Sequence, residues 1–104
     1  MKIVAVAACT IGIAHTYMAQ EAIEQECKKR GYECKVETQG GMGIENELDE
    51  DEIAAADAVI LAIAIGIEGE ERFEEKEKEG KIIKIAPSVV IRDPAEIIDQ
   101  AEKL

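Results

Sequence analysis

The chain has 104 residues, of which 47% are hydrophobic, enough for one domain with a packed core. The net charge of −11 and the 3% aromatic content exclude nucleic acid as an expected partner, because a polyanion is repelled and few rings are present to stack on bases. No apolar run reaches the roughly 18 residues of a membrane span, so neither membrane insertion nor export is expected and the reading is cytoplasmic.

Lys2 to Ala8 is a short continuous apolar run, the pattern of a strand covered on both faces. A loop holding Cys9 follows. From about Thr16 to Arg30 the period becomes helical, with Met18, Ala19, Ala22, Ile23 and Cys27 on one face. Glu21 and Glu24 come early and Lys28, Lys29 and Arg30 late, which suits the helix dipole, and Gly31 is a candidate C-cap. Tyr32 to Thr38 reads as a second strand. The glycines in Gln39 to Gly43 predict a loop. Asp49 is placed to cap a short helix reaching Ala56, and Ala58 to Ile65 reads as a buried strand.

Gly69 to Glu79 is polar and predicted helical, its charges forming a solvated face. Glu68/Arg72, Glu74/Lys78 and Glu77/Lys81 have the i,i+4 spacing of helical ion pairs. Lys81 to Ala86 predicts a fourth strand, ended by Pro87. A last helix is signalled by Asp93 as N-cap, Pro94 at the first position and Glu96 at the third. Its stripe is Ile97, Ile98, Ala101 and Leu104.

Strands and helices alternate throughout, so the predicted fold is a single α/β domain over residues 1–104. It is a three-layer α/β/α sandwich on a four-stranded parallel sheet, with strand order 2-1-3-4. Ligands in such folds sit beyond the carboxyl ends of strands. Cys9 and the Gln39 to Gly43 segment both follow strands and so belong at the same end.

A strand-to-helix loop presents backbone N–H groups and the positive end of a helix dipole, which hold an anion without basic side chains. The same field favours a thiolate at Cys9, since a free thiol has a pKa near 8.5. Thr10, Ile11, Gly12, Ile13, Ala14, His15 and Thr16 form the candidate phosphate loop, Gly12 allowing close approach and Thr16 adding a hydroxyl. The alternative for Cys9 is a small buried residue. Low-molecular-weight phosphatases carry an arginine six residues after the nucleophile, and here that residue is His15. A histidine lacks the bidentate guanidinium clamp, which favours holding a phosphoryl group over hydrolysing it.

His15 is the only histidine, and no ligand cluster accompanies it, so neither a metal nor another cofactor is expected. The glycines at 40, 41 and 43 do not meet the G-x-G-x-x-G dinucleotide pattern. Three cysteines without a C-x-x-C pair disfavour a disulfide framework, and Cys27 and Cys34 read as core.

The chain resembles the fructose-type B component (enzyme II B) of the bacterial phosphoenolpyruvate-dependent sugar phosphotransferase system. Its signature V-x-A-C-P-T-G-I-A-H-T-x-M-A-x-E is met at Val6, Ala8, Cys9, Gly12 to Thr16, Met18, Ala19 and Glu21. A second signature, V-E-T-Q-G then G-x-E-N-x-L, is met at Val36 to Gly40, Gly43, Glu45, Asn46 and Leu48. Thr10-Ile11 stands where the family has Pro-Thr, and Ala64 where an aspartate is frequent.

The resemblance implies a phosphoryl relay in which Cys9 is the catalytic nucleophile. It takes phosphate from a phosphohistidine on the A component and gives it to a sugar bound in the membrane C component. Gln39, Gly40, Glu45 and Asn46 are then the partner- and substrate-side loop. Two alternatives remain open at this point: a phosphatase or arsenate-reductase-like enzyme, and a transfer-impaired regulatory or interaction domain.

Overall fold

The computed structural model describes the chain except for residues 9–11, 41–42 and 65 and the side chains of 12 and 13. Strand β1 (Lys2–Ala8) is followed by helix α1 (Gly12–Lys29), β2 (Glu33–Gly40), β3 (Gly43–Glu45), α2 (Glu50–Ala55) and β4 (Ala58–Ile63). A 3-10 turn at Glu70–Phe73 leads into α3 (Glu74–Lys78), then β5 (Ile82–Ile85), α4 (Pro87–Arg92) and α5 (Pro94–Glu102).

The sheet has five strands in the order β3-β2-β1-β4-β5. Its parallel part, β2-β1-β4-β5, is the expected four-stranded sheet in the expected order. The correction is β3, which pairs antiparallel with β2 at the edge: Gly40 opposes Gly43 and Thr38 opposes Glu45. The segment expected to be a plain loop is therefore largely a hairpin. Gly43, at φ +86°, sits where a side chain would be strained, so the glycine serves the hairpin rather than flexibility.

Strands β1 and β4 are central, and each of their side chains from Ile3 to Ala8 and from Ala58 to Ile63 is buried. Residues alternate between the two faces. Ile3, Ala5, Ala7, Val36, Ile60 and Ala62 pack under α1, α4 and α5. Val4, Val6, Ala8, Val59, Leu61 and Ile63 meet Leu48, Ile53 and Phe73 on the opposite face. Small residues on β1 let the helices approach, which explains a core built with one phenylalanine.

Helix α1 starts at Gly12, four residues before its predicted start. Its buried stripe is Thr16, Ala19, Ile23 and Cys27, while Met18 is 48% exposed and so does not belong to it. At its far end Arg30 bonds Glu26 at 2.7 Å, Asp99 at 2.8 Å and Glu102 at 2.7 Å, tying α1 to α5.

Asp49 caps α2 in a reciprocal box with Glu52, and Asp93 caps α5 by accepting from the Glu96 N–H. Pro87 ends the preceding extended stretch and also opens α4, a helix absent from the sequence reading. The Gly69 to Glu79 helix is split into the 3-10 turn and α3. The i,i+4 pairs expected along it are replaced by Lys76–Glu79 and Lys78–Glu75 at i,i+3, and Arg72 turns inward.

Candidate functional site

The carboxyl ends of three parallel strands line up. Ala8 of β1 is in register with Gln39 of β2 on one side and Ile63 of β4 on the other. The ladder runs one step further, with the Ala64 N–H donating to the Ala8 carbonyl at 3.2 Å. Connections diverge to opposite sides of β1 here, which makes this the switch point where parallel sheets bind ligands. Ala8 is the last residue of β1 and Gly12 the first of α1. Cys9, Thr10 and Ile11 lie outside the described residues, as do the side chains of Gly12 and Ile13.

The rest of the predicted loop forms the start of α1. Ala14 is exposed, His15 half-buried and Thr16 buried. The Thr16 hydroxyl, like that of Thr38 on β2, is buried with no hydrogen-bond partner among the described residues. A side-chain carbon at Gly40 would lie 3.9 Å from the Thr16 oxygen, so the end of β2 lies directly over this part of α1. The Tyr17 hydroxyl donates to Glu45 on β3. That bond, with burial and the nearby carboxylate charge, holds the phenol above its ordinary pKa. Asn46 follows β3 in the left-handed region at φ +54°, a conformation asparagine tolerates. Gln39, Gly40 and Glu45 are thus all brought against β1 or the first turns of α1, and Asn46 forms the turn behind Glu45.

Beneath them sits a buried ion pair. Glu37 is fully buried, and its Oε1 accepts from Arg72 Nη1 at 2.8 Å and from the Leu48 N–H at 2.8 Å. Its Oε2 accepts from Arg72 Nη2 at 3.0 Å and Gln39 Nε2 at 2.6 Å. Arg72 also donates to the carbonyls of Leu48 at 2.6 Å, Gly69 at 2.7 Å and Glu68 at 3.1 Å. All five guanidinium N–H groups are used. Burial pushes the Glu37 carboxyl up, but bonds from Arg72, the Leu48 N–H and Gln39 outweigh it and leave it below the ordinary carboxylate value.

Gly69 makes the fork possible. It has φ +72°, and a Cβ there would lie 2.5 Å from Arg72 Nε. Gly69→Ala is expected to cost at least about 1–2 kcal/mol through the left-handed backbone alone, with more from displacing the guanidinium. Urea unfolding of the variant checks this, and an unchanged midpoint would contradict it.

Cys27 and Cys34 meet at the far end of α1 and β2. Cys34 donates to the Cys27 sulfur, and that bond together with burial pushes its thiol up, away from reactivity. Among the described residues no group of three His, Cys, Asp or Glu side chains is placed to hold a metal, and no helix is long and apolar enough to cross a membrane.

Residues 4–100 match the family described as "PTS system, Lactose/Cellobiose specific IIB subunit". The chain belongs to this IIB family of the sugar phosphotransferase system. It is 60% identical over 72 residues to the PTS system fructose-like EIIB component 2 of Escherichia coli K12, covering 69% of this chain and 68% of that protein. It is 45% identical over 100 residues to the fructose-like PTS system EIIBC component of the same organism, covering 96% of this chain and 20% of that larger protein. Among solved structures, a domain of the fructose-specific IIABC component of Borrelia burgdorferi superposes with a TM-score of 0.86. It is 48% identical, with 96% of this chain and 91% of that one covered.

As a IIB chain, the protein keeps its two signature segments in spatial contact at one end of the sheet. Sequence reasoning missed Glu37 and Arg72, having placed the latter on a solvated face. The available signals were a carboxylate inside the strand run Val36-Glu37-Thr38 and a lone arginine within an acidic stretch.

Proposed function

We propose that this IIB chain carries a phosphoryl group on Cys9 between a phosphorylated A component and a sugar held by the membrane C component of a fructose-type system. The observation that carries this reading is the junction of Ala8 and Gly12. An 18-residue helix starts after three intervening residues beyond a central strand at the switch point, and Cys9 is the first of those three in sequence. The helix N-terminus supplies free N–H groups and positive potential to a thiolate and then to the phosphothiol.

In the first step the sulfur forms a bond to phosphorus as the donor's N–P bond breaks. The nitrogen keeps the electron pair and takes up the proton lost by the thiol. In the second step a sugar hydroxyl oxygen bonds to phosphorus as the S–P bond breaks, and its proton returns to sulfur. Such transfers need positioning and electrostatics more than covalent assistance. His15, half-buried in the first turns, orients the loop or the phosphate. Gln39, Gly40, Glu45 and Asn46 form the rim that meets the partners. The fructose assignment is supported by the names of the relatives, and the fusion of B and C in one of them supports a C component as the acceptor's carrier.

Incubation with a phosphorylated A component of a fructose-specific system tests the reading. The wild type is expected to gain the mass of one phosphoryl group, and Cys9→Ala none. Label retained by the Cys9→Ala variant would move the site elsewhere. Rapid release of free phosphate without a sugar acceptor would favour the phosphatase alternative.

A further inference from the structure

The Glu37–Arg72 pair lies within the fold's interior, yet its bonds reach two loops and, at Gln39, the end of β2. Glu37 and Arg72 hold Leu48, between β3 and α2, and Arg72 holds Glu68 and Gly69, beyond β4. Gln39 closes the ring: its Nε2 donates to Glu37 and to the Glu68 carbonyl at 3.0 Å, and its Oε1 accepts from the Glu68 N–H at 2.8 Å. A buried ion pair gains little net stability over apolar residues of similar shape, because both charges are stripped of water. Its distinctive property is direction: a planar fork with five donors fixes both loops, and Glu37 of β2, at set angles.

We infer that Glu37 and Arg72 are positioning residues which act through Gln39 to hold the rim around Cys9 in the shape that the phosphoryl donor docks against. This deepens the phosphoryl-transfer reading and rests on it. The clamp reaches Gln39, which is in register with Ala8, and through the β2–β3 hairpin it reaches Gly40 and Glu45. The first turn of α1 makes no bond to Glu37 or Arg72 among the described contacts. The clamp thus governs docking of the donor protein, through Gln39 and the hairpin that follows it.

The test measures initial rates of label transfer to the full chain from the phosphorylated A component of a fructose-specific system, over a range of donor concentrations. Arg72→Lys keeps the charge but loses the fork, and Gln39→Ala cuts the link at the half-exposed rim. Both are expected to raise the half-saturating donor concentration about tenfold while the limiting rate stays within about threefold, the signature of lost binding common to ground and transition states. The pH profile of Cys9 alkylation is expected to match that of the wild type.

A purely structural role would instead lower the limiting rate, through a smaller folded fraction, and leave half-saturation alone. That result, or wild-type half-saturation in folded Gln39→Ala, overturns the inference even if Arg72→Lys fails to fold. Absence of label on the wild type overturns the transfer reading and the clamp's role together.

Discussion

Arg72→Ala is expected to destabilise the protein by about 3–5 kcal/mol at neutral pH, the cost of stranding a buried charge. Glu37 is 0% exposed, and the substitution removes its only cationic partner among the described contacts together with two of the four bonds it accepts. The pH dependence identifies the cause. In the wild type the folded-state pKa of Glu37 is below its ordinary value. The unfolded chain therefore binds more protons as pH falls, and the stability Glu37 contributes is lost as pH drops through its folded pKa.

Without the guanidinium, burial dominates and the folded pKa rises above the unfolded one. The sign then reverses, and the penalty shrinks as pH falls from 7 toward 5 because the folded state takes up the proton. Urea unfolding at the two pH values measures both effects. A loss under about 1 kcal/mol at pH 7 would mean that solvent reaches Glu37. Replacing both partners, Glu37→Leu with Arg72→Met, is expected to recover most of the stability and none of the rim geometry.

Phe73→Ala is expected to cost about 3–5 kcal/mol. Phe73 is the only phenylalanine, is 2% exposed, and is the largest fully enclosed apolar side chain on its face of the sheet. It packs with Val4, Val6, Leu61, Leu48 and Ile53 in the cluster on that face. Arg72 also lies over its ring at 5.2 Å, worth about 0.5–1 kcal/mol as a cation–π contact. Phe73→Leu keeps most of the volume and is expected to lose under about 2 kcal/mol. Thermal melts separate the variants. Equal losses in the two would mean that the ring face, rather than volume, dominates.

The parallel sheet was readable because its central strands are buried on both faces. Ile3 to Ala8 and Ala58 to Ile65 are continuous apolar runs, and an amphipathic helix breaks such a run with polar residues; β4 itself ends at Ile63, short of the predicted bound. The capping residues Asp49 and Asp93 were readable for a local reason: a cap's partner lies three residues away. The hairpin at Gly40 and Gly43 was not, because glycine is compatible with loop and turn alike and β3 has only three residues to show alternation. The early start of α1 was missed: Ala14 is exposed and His15 half-buried, so neither carries the buried stripe back from Thr16. Cys9 itself was located by motif and by its place after β1.

By itself the sequence determined the four parallel strands and their alternation with helices, and the place of Cys9 directly after the first strand. These follow from periodicity and from local hydrogen bonding, which act over a few residues. Only the tertiary structure decided that Glu37 and Arg72, 35 residues apart, form one buried pair. Only it decided that Gln39, Leu48 and Glu68 meet on that pair beside the end of β1. Charge on Arg72 reads the same along the chain whether it faces water or a carboxylate, and the packing of the turn at Glu70–Phe73 against β2 chose between them.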